Sequence, residues 1–376
     1  MATAKKAVAK KSTASKDVKN AEKSASDILS EGLESTENPE ESTEETPEES
    51  PVKKEVTPTI NKKFSKLADY KNKIGFKEAK YKEQEWINMS PAFKESANLP
   101  GIPVGHVSMV YGKSDTGKST AALELAAYAL KQDILPVLII TENKFSEERA
   151  VKMGIDLEGC IIHKGIRTIE EGCNKIKQYL DDQEDGKLQS DIVFIWDSLG
   201  ATPTEAELSR REDESEGGAM MQAAKVIKEK FQRYLAFRIN GTRAENYPYN
   251  ATLFVVNQGY QSPPNINMGK RNTTIEPYGG DGLYLACTVV IRMGGIMTRS
   301  SKVDAQKNGA KVVFAVKSGF VVEKNHISNT SAKGNIICTD HGFISDSNEA
   351  IAAYKKEYAA DWNLEFDKFW DKVSID

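Results

Sequence analysis

The sequence contains no apolar run long enough to span a bilayer, and no signal-peptide core follows Met1. No membrane partner is expected from it. Cysteine is scarce: Cys160, Cys173, Cys287 and Cys338 are scattered with no C-x-x-C pair, and three of them sit inside apolar runs. That favours buried, reduced thiols in a cytoplasmic protein over a metal site. The four histidines show no metal-ligand spacing with these cysteines. Charge of one sign is not in excess either. Charged residues make up 28% of the chain and the net charge is −4. Nucleic-acid binding, if present, must therefore come from local patches.

What is present falls into distinct stretches. The 376 residues, 39% of them hydrophobic, are enough for one large core or two modest ones. Residues 1–58 are first Lys, Ala and Ser, then Glu, Ser, Thr and Pro, and cannot bury enough apolar surface to offset chain entropy. A disordered tail is expected there, either a partner-binding segment or a solvated leader. Residues 59–95 read as a helical segment in which Phe64, Leu67, Tyr70 and Ile74 recur at three- and four-residue spacing. This apolar face would pack on its own domain or dock on a neighbouring subunit. Residues 96–345 alternate apolar runs with helical patterns: "HVSMVYG", "PVLIIT", "CIIH", "IVFIWD", "TLFVVN" and "CTVVIRM" are the expected strands. The alternation predicts an α/β fold with a mostly parallel central sheet. The runs "KVVFAVK" and "GNIICTD" have no long helix between them and predict hairpins at one edge. Residues 346–376 read as a C-terminal helical segment, ending in an amphipathic stretch with Trp362, Phe366, Phe369 and Trp370.

The chemistry concentrates at strand ends. Gly112, Lys113, Ser114, Asp115, Thr116, Gly117, Lys118 and Ser119 match G-x-x-x-x-G-K-[ST], with Thr120 next, between an expected strand and an expected helix. Such a loop wraps phosphates with backbone N–H groups at a positive helix N-terminus. Lys118 would reach the β- and γ-phosphates, and Ser119 would ligate Mg²⁺. Asp197 ends the apolar run "IVFIWD", where a second Mg²⁺ ligand is expected. Glu142 lies just beyond "PVLIIT", a position suited to a general base near the γ-phosphate; an exposed loop acid is the alternative. Asn257 and Gln258 end "TLFVVNQ" and would sense the γ-phosphate or cap the strand. Together these residues predict hydrolysis of a nucleoside triphosphate.

Four segments, in this order, resemble the RecA/RadA family of recombinases. They are the phosphate loop, "LPVLIITENKFSEERAVKMGID", "FIWDSLGATP" and "FVVNQ". "DSLGATPTEAEL" and "GFVVEKNHIS" are most similar to the phage UvsX-like branch. The resemblance spans roughly residues 85–345 and implies a RecA-like core using ATP and Mg²⁺. It implies that Glu142 is the catalytic glutamate, that Gln258 couples ATP to a DNA-binding loop, and that Lys324 reaches the ATP of an adjacent subunit. His326 stands where a second Lys or Arg is usual, which weakens that contact or makes it pH-dependent. Single- and double-stranded DNA, further copies of the chain in a helical filament, and single-strand-binding and mediator proteins are the implied partners. The implied location is cytoplasmic, in a bacterial host if the chain is phage-encoded.

Two loops would meet DNA. The first, Thr202 to Gly218, is mostly acidic, and only Arg210 and Arg211 are donors. Acidic residues repel phosphates, so most of this loop should point away. The second, Gly259 to Gly282, carries Lys270, Arg271 and Asn272 beside Met268. The basic residues would neutralise phosphates and the methionine would insert between bases. The expected activity is a DNA-dependent ATPase that coats single strands and exchanges them. A ring-shaped replicative helicase and an ATP-switched scaffold that ignores DNA are the rivals.

Overall fold

The computed structural model describes residues 70–75, 83–142, 145–209, 219–239, 247–264, 272–295, 301–307, 310–328 and 330–360. The chain divides into two compact units, residues 1–79 and 80–376. In the first, residues 70–73 are helical, closed by a bond from the Ile74 amide to the Tyr70 carbonyl of 3.1 Å. Phe64 and Leu67 lie outside the described residues, as does the stretch from Trp362 to Trp370.

The second unit is built on an eleven-stranded sheet. Its elements, in chain order, begin with β1 (Trp86–Asn88), α1 (Pro91–Ala97), β2 (Gly101–Pro103), β3 (Val107–Gly112) and α2 (Lys118–Leu130). Then come β4 (Leu135–Ile140), α3 (Glu147–Lys152), β5 (Ile161–Lys164), α4 (Ile169–Glu184), β6 (Ile192–Asp197) and α5 (Glu205–Leu208). Helix α6 (Ala219–Ile227) runs on into a π-helix (Lys228–Leu235), and then come β7 (Ala251–Ser262), β8 (Thr274–Pro277), α7 (Asp281–Ala286) and β9 (Val289–Met293). The unit closes with β10 (Ser301–Lys307), β11 (Ala310–Asn325), β12 (Ala332–Thr339), β13 (Gly342–Ser345) and α8 (Asn348–Glu357).

Six strands are mutually parallel in the order β9-β3-β7-β6-β4-β5. Strands β11, β12 and β13 extend the sheet antiparallel beyond β9, at the edge where hairpins are expected. The central strands β4 and β6 are apolar up to their carboxyl ends because both of their faces are covered. Val110, Leu138, Ile195 and Val256 point to one core with the alanine-rich α2. Their neighbours Met109, Ile139, Phe194 and Val255 point to the other, against α4 and the helix after α6.

That second helix shows how sequence sets local geometry. Ala223, Ile227, Phe231, Leu235 and Ile239 are all at most 2% exposed and recur every four residues. An α-helix has 3.6 residues per turn, so a four-residue stripe drifts by about 40° per step. From Lys228 to Leu235 the chain instead forms a π-helix, whose wider turn keeps Phe231 and Leu235 on the core.

Register then sets the functional edge. Gly112 of β3 lies opposite Gln258 of β7 and Met293 of β9, and Ile140 of β4 lies opposite Asp197 of β6. The carboxyl ends of the central strands therefore share one rim.

Candidate active site

The phosphate loop leaves β3 at that rim and enters α2. Gly117 caps the helix with φ 92°, a left-handed conformation that disfavours side chains. A Cβ there would lie 2.2 Å from Cys338 Sγ, so only glycine fits between the loop and β12. Asp115 is also left-handed, with φ 61°. Thr116 Oγ1 donates to the Lys113 carbonyl at 2.9 Å, and Lys118 Nζ donates to the same carbonyl at 2.7 Å. The turn is thus fixed by its own members.

Ser119, on the first turn of α2, faces the same cleft as the Asp197 carboxylate. Burial pushes the Asp197 carboxyl up to about 6, opposed by Ser119 and Lys118 and reinforced by the charge of Glu142. Ser119 and Asp197 form a hard oxygen pair. Mg²⁺ fits such a site, because it commonly takes one or two protein oxygens and completes its shell with phosphate and water. Lys324 is elsewhere: it pairs with Val290 on β9, three residues below Met293, or about 10 Å along the strand. Its Nζ donates to the Tyr284 and Leu285 carbonyls at 2.8 and 3.4 Å, capping α7, and burial lowers its pKa.

Glu142 stands two residues past β4. Its Oε1 accepts from Ser198 Oγ at 2.5 Å and from Gln258 Nε2 at 3.5 Å. The Asp197–Ser198 peptide is cis. Around these residues opens a cleft of about 870 Å³ that runs from the phosphate loop past Arg149 to Asp340, His341 and Tyr358. Arg149 holds Thr120 Oγ1 at 2.7 Å and pairs with Asp340 at 3.5 Å. The far wall is aromatic: the His341 and Tyr358 rings stack at 3.6 Å. Neither Arg149 nor this wall was expected from sequence. They come from α3 and from the turn between β12 and β13, with Tyr358 just past α8, and only the fold unites them.

The second loop has a more regular root than its Gly/Pro-rich composition predicts. Strand β7 continues to Ser262 and pairs antiparallel with β8. The β-branched Thr274 and Ile275 suit that ribbon. Gly259 passes within 3.1 Å of Gly112 when a Cβ is placed on it, so the root rests against the phosphate loop. Asn257 Nδ2 donates to the Tyr278 carbonyl at 2.8 Å, and the Tyr278 amide donates to the Gln258 carbonyl at 2.9 Å. Of the expected DNA contacts, Asn272 is described and exposed. Arg210, Arg211, Met268, Lys270 and Arg271 lie outside the described residues.

Lys118, Ser119, Asp197, Glu142 and Gln258 therefore meet at one rim, and the arrangement can hold a triphosphate beside a carboxylate. Among the described residues no group of three or more His, Cys, Asp or Glu could hold a metal alone. No helix among the described residues is long and apolar enough to cross a membrane.

No family model matches the chain. It is similar to several proteins named Protein RecA. That of Rhodopirellula baltica is 25% identical over 215 residues, covering 57% of this chain and 52% of the relative. That of an Arthrobacter species is 24% identical over 225 residues, covering 59% and 57%. That of Mesoplasma florum is 24% identical over 222 residues, covering 58% and 60%. The chain spans about half the length of the curated relatives it matches. The similarity to these RecA proteins extends across more than half of the chain.

Proposed function

We propose that the protein is an ATP-dependent recombinase of the UvsX-like kind. It polymerises on single-stranded DNA, hydrolyses ATP to ADP and phosphate, and pairs and exchanges homologous strands. The observation that carries this reading is the convergence of Lys118, Ser119, Asp197, Glu142 and Gln258 at the carboxyl rim of the sheet. The loop amides and Lys118 bind the phosphates. Ser119 and Asp197 would hold Mg²⁺, which when bound would screen charge on the transferred phosphoryl group. Glu142 orients and deprotonates the attacking water. Gln258 relays the state of that carboxylate to the second loop, which starts just past it on β7.

Lys324 serves the neighbouring protomer's ATP. Its distance from its own phosphate loop supports this, since it keeps Lys324 out of the triphosphate site of its own protomer. The helix that includes Tyr70 docks on the next protomer. Arg210, Arg211, Met268, Lys270, Arg271 and Asn272 contact DNA.

The test is binding to a single-stranded oligonucleotide across a salt series, with electron microscopy of the same samples. A recombinase filament gives log K falling linearly with log salt, and helical fibres with ATP. Six-membered rings would favour the helicase, and no DNA binding at low salt would favour the scaffold.

A further inference from the structure

Glu142 Oε1 accepts hydrogen bonds from the roots of two different loops. Gln258 Nε2 comes from β7, which leads into the second loop. Ser198 Oγ comes from the turn after β6, which leads into the first. The Ser198 bond is the shorter, 2.5 against 3.5 Å. Ser198 is itself 1% exposed and held from both sides. Its carbonyl accepts from Thr141 Oγ1 at 3.0 Å and from Thr202 Oγ1 at 2.9 Å. Thr202 in turn accepts from the indole N–H of buried Trp196 at 3.3 Å.

A separate observation joins the two roots directly. A Cβ placed on Gly200 would lie 2.8 Å from Asn257 Oδ1 and 2.9 Å from Gln258 Cβ. The turn Leu199–Ala201 is therefore pressed against the start of the second loop, with no space for a side chain. Thr202, the residue that directly follows this turn, is where the first loop leaves the body.

From this arrangement we infer that Ser198 is a positioning residue for Glu142. It fixes one carboxylate oxygen so that the other faces water, and it connects that carboxylate to the first loop through Thr202. Both loops then report to the hydrolytic carboxylate, rather than the second alone. The inference rests on the ATPase reading above. It predicts that the acidic first loop matters through its root even if its acidic residues never touch DNA.

The experiment is steady-state ATP hydrolysis by the full chain, with and without single-stranded oligonucleotide. The variants are Ser198→Ala, Ser198→Thr and Ser198→Cys. A hydrogen bond to a charged group, if lost in the transition state, lowers kcat by roughly tenfold or more. Ser198→Ala should show that loss, with affinity for a non-hydrolysable ATP analogue within about twofold of wild type. Ser198→Thr should recover most of kcat. The ratio of kcat with DNA to kcat without it should also fall in Ser198→Ala, because the path from the first loop is cut at its last bond. If Ser198→Ala does not fold, Ser198→Cys carries the test: it keeps the volume with a weaker donor, so its kcat should fall below wild type.

A kcat unchanged in Ser198→Ala or in Ser198→Cys overturns the positioning role. An unchanged DNA ratio with lowered kcat overturns the link to the first loop. Analogue affinity that drops in step with kcat also overturns it, since that marks a general loss of the site. A wild type that hydrolyses no ATP overturns the proposed function itself, and is thereby told apart from the other three results.

Discussion

Glu124 lies in the middle of α2, is 3% exposed, and is a carboxyl among alanines and leucines. Its Oε1 accepts from Ser90 Oγ at 2.6 Å, and its Oε2 accepts from the Phe343 amide at 2.7 Å. It thus ties the N-cap of α1 and the start of β13 to the phosphate-loop helix. Burial pushes the carboxyl from its ordinary 4.5 up to about 7, against the pull of Ser90, Phe343 and, more weakly, Lys131. The sign follows from linkage. Below pH 4.5 the group is protonated in both folded and unfolded chains and contributes no pH dependence. As pH rises from 4.5 to 7, the unfolded chain ionises and the folded chain does not, so stability falls. Above 7 both ionise and the loss levels off. At 1.36 kcal/mol per unit the loss is about 3 kcal/mol. Glu124→Gln keeps the shape and cannot ionise. Its stability relative to wild type should therefore grow by about 3 kcal/mol between pH 4 and pH 8. For a large domain that corresponds to roughly 6–12 °C in the difference between their melting temperatures. The assay is thermal unfolding by circular dichroism at half-unit pH steps, comparing the two proteins at each pH so that other groups cancel. A difference that stays flat from pH 4 to 8 would refute the reasoning, and one that shrinks with pH would reverse its sign.

Four further substitutions test packing and chemistry. Gly117→Ala must both adopt φ 92° and displace Cys338 Sγ, so ATP-analogue affinity should fall at least tenfold in equilibrium titration. Adding Cys338→Ala should recover part of that loss, because it relieves the clash and leaves the backbone cost. Gly172→Ala gains about 1 kcal/mol of helix propensity but drives its Cβ to 2.3 Å from Trp196 Cη2. Overpacking of that kind costs about 1–3 kcal/mol, so a net fall in denaturation midpoint is expected; a rise would mean that Trp196 yields freely. Lys324→Met removes the cap on α7 and, under the proposed function, the contact to the neighbouring ATP. Stability should drop by about 1 kcal/mol in denaturant titration, while ATPase with DNA should fall at least tenfold; equal activity would remove Lys324 from the interface.

Much of this site is legible in the amino-acid sequence, for physical reasons. Parallel strands covered on both faces must be apolar throughout, so "IVFIWD" and "TLFVVN" stand out, and the polar residue that ends each run marks the rim. The phosphate loop declares itself because its backbone needs glycine at a fixed place. The edge hairpins follow from the missing helices between "KVVFAVK" and "GNIICTD". What stays hidden depends on contacts between distant segments. Ser198 and Glu142 are 56 residues apart, and nothing local says that their side chains meet. Arg149 and Asp340 are likewise brought together only by the sheet. The π-helix is readable in principle from the four-residue spacing of Ile227, Phe231 and Leu235, but that spacing also satisfies an ordinary helix. Glu124 carries a signal too, as the one acid in a helix rich in alanine and leucine. Its partners, the Ser90 hydroxyl and the Phe343 amide, do not follow from that signal.

The central claim is a triphosphate site coupled to DNA. It is tested most directly by ATP hydrolysis with and without single-stranded DNA, on wild type and Lys118→Ala. Strong stimulation by DNA that disappears in Lys118→Ala is the predicted result. Hydrolysis by wild type at the same rate with and without DNA would contradict the account.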